Sequence, residues 1–250
     1  MKKAVTDQEP EARQTLVIGG GTGMGEAIAL AFAGESWRVV VAGRRLEKLE
    51  DVSSQAPEGN PIAIRTVDVG DRKAVDALFR WFRQEIGQLD ILVNCAGLNI
   101  PDRSMEELSP EDWDLLMRVN ATGAFDCMRC ALEDMRPRRD GLIVNISSVA
   151  GKRAAPIGGV AYNASKFAMT ALGATVADEL RDSGIRITSI FPGEVNTPIL
   201  DNRPEPPPES HRRRILQPED VAAAVLMVAK LPPRAHISEL VIKPTIQSYF

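Results

Sequence analysis

The chain has 250 residues, of which 44% are hydrophobic and 26% charged, so it is long enough to bury a sizeable core as one α/β domain. The net charge of -4 and the pI near 5.4 give no overall basic field and argue against nucleic-acid binding. No apolar run approaches the length of a membrane span, no signal-peptide stretch opens the chain, and three cysteines do not make a disulfide framework. We therefore expect a cytoplasmic protein without a membrane partner.

Short β-branched runs alternate with helical patterns along most of the chain. Strands are predicted at residues 16–18, 38–42, 62–67, 91–94, 142–146, 185–191 and 239–242, and helices at 25–33, 46–55, 72–86, 110–136, 162–181 and 218–230. Strands such as RVVVA and DILVN are nearly continuous apolar runs, as in a parallel sheet covered on both faces. The pattern predicts a Rossmann-type, doubly wound α/β fold with about seven parallel strands and helices on both faces.

No internal repeat or dividing linker is evident in the sequence. We expect a flexible N-terminal extension over residues 1–14 and a single dinucleotide-binding catalytic domain over 15–250. The one compositional break is DNRPEPPPESHRRRILQ at 201–217, whose prolines and charges exclude a regular strand or a long helix. We predict a substrate loop over 193–217, either a mobile lid or, as the alternative, a plain solvent loop.

The first predicted strand runs directly into IGGGTGMGEAIALAFA, where Gly19, Gly23 and Gly25 precede a helix. Glycine permits a tight turn and close backbone approach, and free N–H groups at the helix start attract a pyrophosphate. Ile28 stands where the Gly-x-Gly-x-x-Gly pattern requires Gly or Ala. The stretch therefore predicts a variant dinucleotide-binding turn, since a merely flexible turn would not explain its position between a strand and a helix.

The end of the second predicted strand favours one cofactor over the other. In VVVAGRRLEK, Arg44 and Arg45 follow the strand, and no carboxylate occurs before Glu47. An acidic residue there binds a ribose 2'-hydroxyl, whereas guanidinium groups pair with a 2'-phosphate. NADP(H) is therefore predicted over NAD(H), with two solvated arginines as the alternative reading.

With these pieces in place, the chain resembles the short-chain dehydrogenase/reductase family in its single-domain form, from Leu16 to the C-terminus. The motifs that carry the resemblance are, in order, the glycine turn, VDV with Asp68, NCAG at 94–97, VNATG with Asn120, IVNISSVAG with Ser148, YNASK with Tyr162 and Lys166, and PGEVNTP with Thr197. Ile18 and Cys95 depart from the usual Thr and Asn of the family. The tail ISELVIKPTIQSYF is similar to the branch of NADP-dependent 3-hydroxy acid dehydrogenases.

The resemblance implies four catalytic residues. Tyr162 is the general acid or base, Ser148 hydrogen-bonds the substrate oxygen, Lys166 holds the nicotinamide ribose, and Asn120 supports a water-linked proton path. Ser147 is an alternative to Ser148, because Ser148 lies 14 residues before Tyr162, about one more than the resemblance implies. The implied cofactor contacts are Gly19, Gly21, Thr22, Gly23, Met24, Gly25, Arg44, Arg45, Asp68 beside the adenine, Val69, Asn94, Ala96, Gly97, Tyr162, Lys166, and, near the carboxamide, Pro192, Gly193, Val195 and Thr197.

Proton transfer by Tyr162 requires its pKa to fall from about 10 toward the working pH. A fall of about three units needs roughly 4 kcal/mol, which one ammonium about 4 Å away supplies at an effective dielectric near 20. Residues four apart share a helix face, so Lys166 is expected to lower the pKa of Tyr162.

The sequence therefore predicts an NADP-dependent oxidoreductase for a small carbonyl compound or secondary alcohol, with a 3-hydroxy acid as one candidate. Two alternatives are a 3-oxoacyl thioester reductase and a non-catalytic NADP(H)-sensing protein. No metal or redox site is predicted, because Cys127 and Cys130 fall inside a long helix and His211 and His236 lie far apart.

The resemblance also implies a homodimer or homotetramer, since the two long helices at 110–136 and 162–181 pack across a two-fold axis in the family. Leu116, Phe125, Met128 and Leu132 are candidates for that contact. A purely intramolecular core is the competing interpretation of these apolar residues.

Overall fold

The computed structural model describes residues 12–248, in which strands and helices alternate. The strands are β1 (Gln14–Ile18), β2 (Arg38–Gly43), β3 (Ala63–Thr66), β4 (Ile91–Asn94), β5 (Gly141–Ile146), β6 (Ile185–Pro192) and β7 (Glu239–Ile242). The helices are α1 (Gly23–Gly34), α2 (Leu46–Ser54), α3 (Arg72–Trp81), α4 (Pro110–Leu116), α5 (Gly123–Arg138), α6 (Val160–Glu179), α7 (Glu209–Arg212) and α8 (Pro218–Lys230). All seven predicted strands are present, within two residues of their predicted ends.

The seven strands form one parallel sheet in the order β3-β2-β1-β4-β5-β6-β7. The prediction of a Rossmann-type, doubly wound sheet of about seven strands is therefore confirmed. The chain leaves β1 toward β2 on one side and returns to β4 on the other side. Ligands of such folds bind outside the carboxyl ends of the strands at this reversal of strand order.

Both faces of the sheet are buried, because successive side chains of a strand point to opposite faces. Leu16 and Ile18 of β1 enter a core shared with α3, α5 and α6. Val17 between them enters a second core shared with α1, α2 and α8. Burying side chains of this size stabilises the fold by about 1.5–3 kcal/mol each. The sheet therefore holds the loops at the ends of its strands in fixed positions.

The predicted helix at 110–136 is not one regular α-helix. Ser109 caps its start by accepting a hydrogen bond from the Asp112 amide at 3.1 Å, but the α-helix stops at Leu116 and a π-helical stretch, Met117–Thr122, separates α4 from α5. Wider turns of this kind occur frequently at functional sites. Here the stretch carries Asn120, one of the predicted catalytic residues.

The apolar residues proposed for an oligomer contact have different positions in the structure. Leu116, Met128 and Leu132 are buried inside the chain, and the intramolecular alternative is correct for these three. Phe125 is 44% exposed on α5 and is the one member of the set that remains available to a second copy. The correction follows from helix rotation, which a run of apolar residues alone does not specify.

The two predicted segments outside the regular pattern are partly described. Of the predicted extension at 1–14, residues 1–11 lie outside the described part of the chain, and Gln14 already belongs to β1. The predicted substrate loop at 193–217 contains a short 3-10 helix, Pro198–Asn202, and α7, while Val195 pairs with Leu216 as an isolated bridge. Within residues 12–248, no helix has the length and apolar character needed to cross a membrane.

Candidate active site

The turn after β1 has room only for glycine at several positions. Gly19 and Gly23 have φ values of 78° and 57°, in the left-handed region that disfavours side chains. A Cβ on Gly19 would lie 2.6 Å from the Ala96 nitrogen, and one on Gly25 would lie 2.2 Å from the Gly19 oxygen. The side chain of Thr22 does not cap α1, so the first N–H groups of the helix are available to an anion.

This turn forms one wall of a cleft of about 440 Å³ at the carboxyl ends of the strands. The predicted cofactor contacts that line the cleft are Gly19, Gly21, Thr22, Gly23, Met24, Arg44, Arg45, Asp68, Val69, Ala96, Gly97 and Thr197. They come from five separated segments of the chain. The cleft lies where β1 and β4 are neighbours, which is the reversal point of the strand order.

Other predicted cofactor residues lie behind the cleft walls. Asn94 is buried and donates through Nδ2 to Asn145 Oδ1 at 2.9 Å. Gly193, which directly follows Pro192 at the end of β6, donates its backbone N–H to the Ile242 oxygen at 2.8 Å. These contacts, together with the burial of Gly25 and Val195, support the cleft rather than line it.

Two guanidinium groups at the β2 end of the cleft have no acidic partner. Arg44 and Arg45 are exposed, and neither forms an ion pair within the described residues. Lys48 beside them is held by Asp51 at 2.9 Å. The glycine turn, the free N–H groups and these two unpaired cations together fit a dinucleotide that carries an additional phosphate.

The predicted catalytic residues meet at the inner end of the cleft. The Ser148 hydroxyl, just beyond β5, lies close enough to the Tyr162 phenol in the first turn of α6 to lower the pKa of the phenol. Ser147 is buried instead against α6, where its hydroxyl lies 3.1 Å from Thr170 Oγ1 and 3.3 Å from the Lys166 oxygen. The geometry therefore brings Ser148 to Tyr162 and leaves Ser147 in the packing of the helix.

Lys166 and Asn120 lie beside Gly97. A Cβ on Gly97 would be 3.4 Å from Lys166 Nζ and 3.5 Å from Asn120 Oδ1. Lys166 Nζ donates to the Ile146 oxygen at 2.9 Å and lies 5.7 Å from the ring centroid of Tyr162. Asn120 holds both backbone groups of Leu98, accepting from its N–H at 2.9 Å and donating to its oxygen at 3.0 Å. Its amide therefore fixes the loop after β4.

The pKa of Tyr162 differs from the sequence expectation. Burial raises the pKa of the phenol, and the nearby Ser148 hydroxyl and the charges of Arg103 and Arg203 only partly oppose this effect. Lys166 is itself buried, and desolvation lowers its pKa to about 8. The expected lowering by Lys166 is therefore not what the structure shows, because burial is the largest effect on the phenol and the charges that oppose it are those of Arg103 and Arg203.

Several residues that sequence reasoning did not single out also belong to this region. Those lining the cleft include Lys48, Leu49, Cys95, Leu98, Pro198, Ile199 and Asn202. Beyond the cleft, Glu194 accepts from Arg203 at 2.6 Å and lies 3.0 Å from the His211 imidazole. Arg103 is 7% exposed and makes hydrogen bonds to three backbone oxygens. Apart from Lys48 and Leu49 in α2, these residues stand in loops or short helical turns without a periodic pattern, so no local signal marks them.

The three cysteines are buried or partly buried. All three thiols are free, and burial raises the pKa of Cys127 and, to about 12, that of Cys130. Across residues 12–248, no group of three or more His, Cys, Asp or Glu side chains is arranged to hold a metal ion.

Known proteins with this arrangement share its sequence pattern and fold. The pattern that describes the short chain dehydrogenase family matches residues 13–207. An uncharacterized oxidoreductase of Staphylococcus aureus (strain MW2) is 32% identical over 229 residues, covering 92% of this chain and 96% of the relative. The closed form of a serine dehydrogenase complexed with NADP+ is 30% identical with a TM-score of 0.85, covering 94% and 96% of the two chains. An alcohol dehydrogenase of the archaeon Thermococcus sibiricus complexed with 5-hydroxy-NADP is 26% identical, also with a TM-score of 0.85, covering 95% and 99%.

The glycine turn, the cleft at the strand reversal and the pair formed by Tyr162 and Lys166 thus occur on a chain that matches one family along most of its length. The chain belongs to the short-chain dehydrogenase/reductase family of oxidoreductases.

Proposed function

We propose that the protein is an NADP(H)-dependent oxidoreductase that interconverts a small carbonyl compound and the corresponding secondary alcohol. The observation that carries this proposal is the position of Tyr162 close to Ser148, with Lys166 Nζ 5.7 Å from the centroid of its ring, at the inner end of the glycine-rich cleft. A proton donor, an oxygen-binding hydroxyl and a cradle for the cofactor are the groups that carbonyl reduction requires.

When bound, the nicotinamide supplies a hydride for reduction or accepts one for oxidation. The Ser148 hydroxyl donates a hydrogen bond to the substrate oxygen and so stabilises the negative charge that develops there. In reduction, Tyr162 gives its phenolic proton to that oxygen as the carbon gains the hydride, and C=O becomes CH–OH. In oxidation the same phenolate takes the proton from the alcohol.

Lys166 is suited to return a proton to Tyr162. Burial brings its pKa to about 8, so that both protonation states are accessible near neutral pH. A positively charged nicotinamide nearby would further favour the phenolate. Asn120, buried and fixed on Leu98, keeps the backbone beside Lys166 in place, and we assign it to a water-linked path from Lys166 to solvent.

NADP(H) rather than NAD(H) is the proposed cofactor. Arg44 and Arg45 offer two unpaired guanidinium groups where a 2'-phosphate would lie. The similar serine dehydrogenase and alcohol dehydrogenase were solved with NADP+ and 5-hydroxy-NADP. Both observations support the same choice.

A 3-hydroxy acid is the substrate we consider first. Arg103 and Arg203 both act on the Tyr162 phenol as positive charges, which favours a substrate with a carboxylate near the reacting carbon. A 3-oxoacyl thioester is the second candidate, and the non-catalytic sensor is the third. We also propose a cytoplasmic homodimer or homotetramer, since the thiols are free and Phe125 and Phe167 are exposed on the adjacent helices α5 and α6.

The test is oxidation of NADPH and of NADH, followed at 340 nm, with 3-oxo acids, 3-oxoacyl thioesters, sugars and simple ketones. We expect turnover with NADPH that falls by about 1000-fold or more in Tyr162→Phe, with NADPH binding retained. Tight NADPH binding without turnover of any carbonyl would favour the sensor. Unchanged turnover in Tyr162→Phe would contradict the assignment of the acid.

A further inference from the structure

Arg103, in the loop between β4 and α4, joins three segments that are distant in sequence. Its Nε donates to the Ile100 oxygen at 2.8 Å within its own loop. Its Nη1 donates to the Ile157 oxygen at 2.9 Å, in the turn before α6. Its Nη2 donates to the Asn202 oxygen at 2.5 Å, in the segment after β6. One buried guanidinium thus links the loop after β4 to both other segments.

The backbone of Arg103 also contacts the start of the helix that carries Tyr162. Its carbonyl oxygen accepts from the N–H of Val160, the first residue of α6, at 3.0 Å. Gly159 has a φ of 81°, and a side chain there would begin 2.4 Å from Arg103 Cβ. The N-terminus of α6, whose first turn carries Tyr162, is therefore packed directly on Arg103.

Two asparagines connect the same three segments. Asn99 donates through Nδ2 to the Gly158 oxygen at 3.0 Å, and Asn202 donates through Nδ2 to the Asn99 oxygen at 3.0 Å. Asn202 also lines the cofactor cleft, so this hydrogen-bonded wall is continuous with it. We call the three segments, residues 98–104, 155–159 and 198–203, the substrate-side wall.

Arg103 keeps a charge without an acidic partner. It is 7% exposed, and no carboxylate of the described residues lies within ion-pair distance of it. A guanidinium stays protonated even when buried. Arg203 in the same wall differs, because Glu194 neutralises it. Arg103 is therefore the uncompensated cation of this region.

The charge acts on the catalytic phenol. The titratable groups around Tyr162 are Cys95 at the end of β4, Arg103, Arg203 after β6, and Lys166 on its own helix. Desolvation and Cys95 raise the pKa of Tyr162, whereas Arg103 and Arg203 lower it. Lys166, with a pKa lowered to about 8, loses its charge first as pH rises. Arg103 remains charged over the whole working range.

We propose that Arg103 is a positioning residue of the reaction, which joins the substrate-side wall into one unit against α6 and holds a permanent positive charge at the start of the helix that carries Tyr162. This inference rests on the proposed function of the cleft. It adds a residue that acts through Tyr162 and the wall, and no contact between Arg103 and substrate is required.

Three variants separate the hydrogen bonds, the charge and general stability. Arg103→Met removes both the hydrogen bonds and the charge, and Arg103→Lys keeps the charge while losing the three-way bonding. Arg186→Met is the matched control, because Arg186 is 8% exposed and also bonds only backbone oxygens, those of Leu231 and Ala235. It lies at the opposite end of the sheet from the cleft.

The first readout needs no turnover. Trypsin can cut after Arg213 and Arg214, which are exposed and follow the substrate-side wall. Loosening the wall should increase cleavage there by about tenfold in Arg103→Met and in Arg103→Lys, as local opening becomes more frequent. Cleavage at these bonds in Arg186→Met should match that of the wild type. Equal cleavage in all four proteins would overturn the joining role.

The second readout is kinetic. In Arg103→Met we expect KM for the carbonyl substrate to rise by about tenfold with an unchanged Kd for NADPH. In alcohol oxidation the phenolate is the base, so loss of a nearby cation should move the ascending limb of kcat/KM to higher pH by about half a unit. In Arg103→Lys the positive charge is retained, so the ascending limb of kcat/KM should stay at the wild-type pH. A pH profile that is the same in Arg103→Met, or that shifts equally in Arg186→Met, would overturn the charge role.

The two failures are distinguishable. If the wild-type protein reduces no carbonyl, the proposed function has failed, and the trypsin comparison still decides whether Arg103 joins the wall. If the wild type is active and Arg103→Met behaves like it in both readouts, only the inference about Arg103 is wrong.

Discussion

The cofactor side and the substrate side of the cleft are built in different ways. On the cofactor side, the turn from Gly19 to Gly25 is one short stretch whose backbone comes so close to itself and to Ala96 that no side chain fits at either of these two glycines. On the substrate side, the wall is held by polar side chains such as Arg103, whose partners lie 54 and 99 positions away in sequence. The first is a local motif, and the second exists only in the folded chain.

This difference has consequences for mutation. The close backbone contacts of the turn leave no space for added atoms at Gly19 or Gly25, so a single methyl group there should disrupt the turn. A wall of side-chain hydrogen bonds should weaken in steps, because each bond contributes about 0.5–1.5 kcal/mol.

The largest effect is expected from Gly25→Ala. Its methyl group would lie 2.2 Å from the Gly19 oxygen, so the turn must move away from the position that suits a pyrophosphate. We expect NADPH affinity to fall by about 100-fold or more and stability to fall by about 1–3 kcal/mol. Fluorescence titration with NADPH and thermal unfolding measure the two quantities.

Gly34→Ala is the control for this prediction. Gly34 is the last residue of α1, and nothing lies within 4 Å of a Cβ placed on it. NADPH binding should be unchanged, and stability should rise by up to about 1 kcal/mol because alanine favours helix. Similar losses in both variants would show that the close contact at Gly25 is not the cause.

A smaller effect is expected from replacing both Arg44 and Arg45 by Gln. Each removes a charged donor from the β2 end of the cleft, and hydrogen bonds to charged groups contribute about 1.5–3 kcal/mol. The ratio of kcat/KM for NADPH over NADH should fall by about 10-fold to 100-fold. Arg234→Gln removes an exposed arginine elsewhere and should leave this ratio unchanged. If the double variant keeps the wild-type ratio of kcat/KM for NADPH over NADH, these arginines do not bind the 2'-phosphate.

The smallest effect is expected on the substrate side, from Glu194→Gln. Burial raises the pKa of Glu194, but hydrogen bonds from Arg203 and His211 outweigh it and hold the pKa below the usual 4.5. A depressed pKa contributes stability that is present above pH 4.5 and is lost as pH falls through the folded value. The wild type should therefore lose free energy of unfolding below pH 4.5 more steeply than the variant.

Glu209→Gln is the matched control for the acid measurement. Glu209 pairs with Arg213 at 3.1 Å, but both side chains are largely exposed, and such pairs contribute about 1 kcal/mol or less. Urea unfolding at several pH values should show that the free energy of unfolding of this variant changes with pH as it does in the wild type. If the free energy of unfolding of Glu194→Gln falls with decreasing pH as steeply as that of the wild type, the Glu194 carboxylate does not stabilise the segment after β6.

Much of the fold was readable from hydrophobic patterns. Continuous apolar runs predicted strands buried on both faces, and all seven appear in one parallel sheet. The hydrophobic patterns did not predict how each helix is rotated about its axis or where its backbone departs from regular α-helix. The pattern left Leu116, Met128 and Leu132 open between an oligomer contact and an intramolecular core, and the structure buries all three. The spacing of apolar residues also gave no sign of the π-helical stretch around Asn120.

The site was predictable to a similar degree. The spacing of Tyr162 and Lys166 predicted a shared helix face, and in the structure Lys166 Nζ lies beside Gly97 and 5.7 Å from the centroid of the Tyr162 ring. The pKa of Tyr162 was not predictable, because it depends on burial and on the charges of Arg103 and Arg203, which tertiary contacts bring to it.

The sequence by itself determined the alternation of strands and helices, the glycine turn and the order of the motifs, since each depends on neighbours within a few positions. Only the tertiary structure decided which serine meets Tyr162, which apolar helix residues are buried and how Arg103 joins the substrate-side wall. The physical reason is that burial, long-range hydrogen bonds and electrostatic interactions depend on distances between segments, and those distances do not exist before the chain has folded.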